Sequence, residues 1–99
     1  MLDINYDVNI EVEELFSIED NLKRIQYCLN DSVNKMETAL IQSQDFLAGR
    51  QFEKVMENTQ ACMNIVEQTN VNLSQAIKYI SSLEEILEEY KRNAYLGDE

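Results

Sequence analysis

The chain has 99 residues, 44% of them apolar, and a net charge of −11 from 19 acidic and 8 basic side chains with no His. Such a length accommodates one domain at most, and the charge excludes phosphate-backbone binding and disfavours anionic membrane surfaces. Pro is absent and Gly occurs only at 49 and 97, so helix is permitted almost throughout.

Residues 2–12 alternate strictly, Leu2, Ile4, Tyr6, Val8, Ile10 and Val12 against Asp3, Asn5, Asp7, Asn9 and Glu11. Period two is a strand signal, but a lone strand has no hairpin mate. An extended segment lying along the rest of the chain and a loosely ordered arm over 1–12 are both open. The stretch is also acidic: residues 1–20 hold seven acidic groups and no base. A basic partner surface and plain solubility both account for that excess. The start, Met1-Leu2-Asp3-Ile4-Asn5, has no basic region followed by an apolar run. The expectation is a protein made in the cytoplasm that either stays there or leaves by a route that reads no such signal.

The first helix is expected over about residues 13–46. Leu15, Leu22, Leu29 and Met36 recur every seven residues, with Ile18, Ile25, Ala39 and Phe46 interleaved. Ser17-Ile18-Glu19-Asp20 has the form of a capping box, although Val12-Glu13-Glu14-Leu15 is already compatible with helix. Glu19–Lys23, Asp20–Arg24 and Asp31–Lys35 are acid-before-base pairs four residues apart, each worth a few tenths of a kcal/mol. A helix–helix turn is expected at about 46–50, where Leu47-Ala48-Gly49 places the one interior glycine, whose freedom at positive φ suits such a turn. The second helix is expected over about 50–94. Phe52, Val66, Leu73, Ile80 and Leu87 form one heptad column, and Val55, Cys62, Ala76, Leu83 and Tyr90 the other. Glu84, Glu85, Glu88 and Glu89 read as solvated surface charge near its end, followed by Lys91 and Arg92. Residues 95–99 form the tail.

The expected fold is therefore all-α: an antiparallel two-helix hairpin, a helix-turn-helix coiled coil, with residues 1–99 as one domain. A second apolar column flanks each stripe, Val33, Leu40 and Leu47 on the first helix and Met56, Met63 and Ile77 on the second. A two-stranded seam needs only two columns. The third marks a partner interface, with a four-helix bundle of two hairpins expected on dimerisation; alternatively it broadens the hairpin's own contact. With the turn near 48–49, antiparallel partners sum to roughly 97, so Cys28 faces the region of Asn70 and Cys62 that of Lys35. The thiols then miss each other by roughly 10 Å of helix rise, outside disulfide reach, and both are read as small buried or half-buried hydrophobes.

The inventory for catalysis is empty. There is no His, no Gly-rich phosphate loop and no nucleophile elbow, so no enzymatic activity is expected. No cofactor and no metal are expected either, since a close Cys pair is also missing. No stretch is long and apolar enough for membrane insertion.

The length, the two helices, the turn and the tail together resemble the small helical hairpins of type VII (ESX-like) secretion, the WXG or ESAT-like family. That family carries Trp-x-Gly at the turn; here Leu47-Ala48-Gly49 stands there with an aromatic one position earlier, Phe46, and the chain has no Trp. The family's export signal is Tyr-x-x-x-Asp/Glu after the second helix, matched here by Tyr95 and Glu99 in Tyr95-Leu96-Gly97-Asp98-Glu99. The resemblance implies a non-enzymatic protein, secreted by a non-Sec route and engaged by a secretion motor ATPase. It implies a homodimer, a heterodimer with another hairpin of the family, or a complex with the helical domain of a larger toxin for which the chain acts as a targeting chaperone. A cytoplasmic coiled-coil adaptor or regulatory subunit is the alternative that needs no export signal.

Overall fold

The computed structural model describes the backbone of residues 4–97 and the side chains of residues 11–93. Two helices account for nearly all of it: α1, Ile4–Phe46, and α2, Gly49–Gly97, joined by Leu47 and Ala48. No strand occurs among the described residues. The all-α helical hairpin expected from the heptads is the fold.

The amino-terminal stretch departs from its alternation. From Ile4 onward it is helix, continuous with the rest of α1, so neither a strand nor an arm extends to residue 12. The reason lies in the same residues: Ile4, Val8 and Val12 are four apart and lead into Leu15. A strict alternation thus contains a helical stripe, and a helix satisfies its own backbone groups where a lone strand cannot. Ser17–Asp20 lies inside α1 and is not its start.

The turn is two residues long. Leu47 N–H donates to the Ser43 carbonyl at 2.9 Å, closing α1. The Ala48 carbonyl accepts from Gln51 N–H at 2.9 Å and Phe52 N–H at 3.3 Å, which makes Ala48 the cap residue of α2. Gly49 is already helical, its φ is not positive, and a Cβ built there meets nothing within 4 Å. The expected conformational demand for glycine is therefore absent: Leu47 and Ala48, not Gly49, form the connection.

The chain divides into two compact units. The terminal unit joins residues 1–24 to 74–99, and the turn unit comprises residues 25–73. In the terminal unit the less exposed positions of α1 are Val12, Leu15, Glu19 and Leu22, and those of α2 include Ile77, Ile80, Glu84 and Leu87. In the turn unit they include Gln26, Leu29, Val33, Met36, Leu40 and Ser43 on α1, continuing to Leu47. Opposite them stand Phe52, Val55, Thr59, Met63, Val66, Asn70 and Leu73 on α2. Alternating steps of three and four mark a helix–helix seam.

That seam corrects the column assignment. The columns of Leu15 and Phe52 lie in it as expected, but the second column on each helix is the neighbouring one. Val33, Leu40, Leu47, Met63 and Ile77, expected to face a partner, are half-buried in the hairpin's own seam. Of that set only Met56 is exposed, at 41%. Conversely Ile18, Ile25, Ala39 and Phe46 are exposed, as are Cys62, Thr69 and Tyr90; Val55 keeps its expected place in the seam next to the turn, and Ala76 and Leu83 are half-buried beside it. A stripe three columns wide allows either adjacent pair of columns to meet, and local apolarity does not choose between them.

Candidate functional site

Two polar layers interrupt the seam. In the turn unit Asn70 donates through Nδ2 to Asn30 Oδ1 at 2.8 Å, and Gln26 Nε2 donates to the Asn70 main-chain carbonyl at 3.2 Å. Gln26 and Asn30 bracket Cys28, so the register is the one expected from the turn. The Asn70 Oδ1 is buried and accepts no hydrogen bond. Single polar residues in a coiled-coil seam select register at a cost in stability.

In the terminal unit Glu84 is 5% exposed, and its Oε1 accepts no hydrogen bond. Burial pushes its carboxyl above the usual carboxylate range. The negative charges of Glu19, Glu88 and Glu85 push the same way, and Lys23 opposes them. Glu84 was expected among the solvated acids. It is instead a seam residue, one heptad beyond Ile77. Glu19 has 15% of its side chain exposed and lies 3.8 Å from Lys23. The other two expected pairs close as well, Arg24–Asp20 at 2.9 Å and Lys35–Asp31 at 3.1 Å; both are exposed and contribute little.

The seam uses few of the large apolar side chains outside it. In the terminal unit Leu15, Ile18, Leu83, Ile86 and Leu87 line an open groove of about 330 Å³ whose other two lining residues are Glu11 and Glu14. Ile18 is 44% and Ile86 60% exposed. In the turn unit, Ala39, Gln42, Ser43, Phe46 and Leu47 border a more open hollow beside the turn, and Phe46 is 86% exposed. A third groove, in the same unit, has a polar lining that includes Asn30, Glu37, Gln60 and Glu67. None of these surfaces brings together a nucleophile and a base.

The sequence-derived site residues are thus dispersed. Leu47, Ala48 and Gly49 form the turn and the first residue of α2. Tyr95 lies on the helical backbone of α2, and Glu99 lies outside the described residues. Cys28 and Cys62 are free, as expected, but exposed rather than buried, because both stand outside the seam columns. Among the described residues no three Cys, Asp or Glu side chains are grouped to hold a metal ion, and no helix is long and apolar enough to cross a membrane. Two features escaped sequence reasoning: the buried carboxylate at 84, and the exposed groove. Both follow from the shift of seam column, which apolar periodicity alone does not signal. Comparison with family models, with curated proteins and with solved structures finds no match.

Proposed function

We propose that this chain is a non-enzymatic helical hairpin of a type VII-like secretion system, exported together with a helical partner or serving as the targeting subunit of a larger toxin. One observation carries the proposal. α2 runs without a break from the turn through Tyr95, so the tail motif Tyr95-x-x-x-Glu99 continues from the end of a helical hairpin. Residues four apart share a face if the helix continues, and such a face would offer an aromatic ring and a carboxylate to a receptor. The exposed apolar residues outside the seam support a protein that works by pairing. The turn glycine lends no support, since neither its backbone nor its surroundings require it.

The test is export of the tagged protein from its native host, wild type against Tyr95→Ala and against deletion of Glu99. Medium and lysate are blotted together, and circular dichroism establishes that the variants fold. Wild type in the medium, with both variants retained and folded, is the expected result. Retention of the wild type inside the cell refutes export and favours the adaptor reading. Equal export of all three forms places the signal on a bound partner.

A further inference from the structure

We infer that the groove of the terminal unit docks one amphipathic helix of a basic partner, and that a second copy of this chain is not its occupant. The inference rests on the reading that the hairpin works by pairing, and adds where it pairs and with what chemistry. The seam of this unit is made by Val12, Leu15, Leu22, Ile77, Ile80 and Leu87. The residues beyond it are apolar without being needed to close it. Tyr79, Leu83, Ile86 and Tyr90 stand at steps of four, three and four along α2, one continuous helical ridge. Tyr79 is 66%, Ile86 60% and Tyr90 51% exposed, and Ile18 on α1 is 44% exposed. Ile18 and Leu83 line the groove on its α1 and α2 sides. A channel running along two helices, with aliphatic walls, receives the side chains of a third helix at i, i+3, i+4 and i+7.

Charge selects the occupant. Among the residues of this unit whose side chains are described, 11–24 and 74–93, nine are acidic and five basic. The polar residues lining the groove are Glu11 and Glu14; no basic side chain lines it. A second copy would bring the same acidic rim against this one, and like charges juxtaposed at an interface are unfavourable. A helix flanked by Lys or Arg turns the same rim into attraction, and the field of the unit speeds its approach.

The experiment uses the full chain and two labelled peptides of about three heptads, with Leu at the seam positions and either Lys or Glu at every flanking position. Binding is followed by fluorescence anisotropy, and the oligomeric state of the protein alone by sedimentation. The Lys peptide is expected to bind one to one and the Glu peptide not to bind. The double variant Ile18→Gln/Ile86→Gln is expected to weaken the Lys peptide at least about tenfold, since each isoleucine contributes apolar burial. Ile41→Gln/Ile65→Gln alters two exposed isoleucines of the turn unit, at 65% and 67%, and is expected to change nothing. Circular dichroism checks that both variants stay helical; Ile18→Ala/Ile86→Ala is the milder pair. Failure of the Lys peptide to bind, equal binding of the Glu peptide, or an equal loss in the turn-unit variant overturns the inference. So does a dimer of the protein alone that Ile18→Gln/Ile86→Gln dissociates. Peptide binding involves no export apparatus, so its failure and a failure of export are separate results.

Discussion

Replacing Glu84 by Leu should stabilise the hairpin substantially. The residue is 5% exposed, its Oε1 is buried and accepts no hydrogen bond, and Glu19 adds a like charge nearby. Leaving a buried acceptor unpaired costs about 1–3 kcal/mol. A buried leucine at the same seam position gains about 1.5–3 kcal/mol of apolar burial. The two contributions share one site and do not simply add, so an increase of about 2–4 kcal/mol is expected. For a domain of this size each kcal/mol moves Tm by about 4–8 °C, so the shift should be at least about 8 °C by far-UV circular dichroism. The pH dependence gives an independent check. Glu84 has a folded pKa raised by burial and neighbouring acids, so the folded state binds its proton more tightly than the unfolded state does. Stability from this group is therefore complete below the ordinary carboxylate value and is lost as pH rises through the folded value. Wild type should gain Tm between neutral and mildly acidic pH, whereas Glu84→Gln should start higher at neutral pH and gain less. A Glu84→Leu protein no more stable than wild type, with an unchanged pH slope, would refute the placement of Glu84 in the seam.

Two further substitutions test the turn and the seam. Gly49→Ala should stabilise by about 0.4–1 kcal/mol through the unfolded chain, because Gly49 is helical, lacks positive φ and has open space around its Cβ position; a loss in chemical denaturation would show that the turn does require glycine. Val33→Asn should cost about 1–3 kcal/mol, the usual range for a polar group placed at a packed site. Ile25→Asn, at a position 47% exposed, should stay within about 0.5 kcal/mol. The opposite order would restore the column of Ile25 to the seam.

Chain order and composition were enough for the fold. Absence of Pro, two apolar stripes at heptad spacing and a single interior break leave little but a pair of helices, and the antiparallel register followed from the position of that break. Gln26 and Asn30 meeting Asn70 show how closely. Helix start was not legible, because Ile4, Val8 and Val12 satisfy a period of two and a period of four together; only continuity with α1 resolves them. The chain reverses at Leu47 and Ala48, without calling on the glycine that the sequence offers there. Glycine is common where a chain reverses, yet here the Ala48 carbonyl receives the first bonds of α2 and Gly49 needs no special φ.

Helical periodicity alone fixes the set of faces, that is, which residues can share a helix surface. Which of those faces meet was decided only in the tertiary structure. On each helix three adjacent columns compete for a seam that holds two, and the choice depends on both helices at once, through long-range contacts such as Asn70 to Asn30. That choice left Val33, Leu40, Met63 and Ile77 half-buried, took Glu84 out of water beside them, and left Ile18 and Ile86 exposed beside Glu11 and Glu14. A single helix carries no record of the other's surface, so neither the buried acid nor the open groove could be read before the two were brought together.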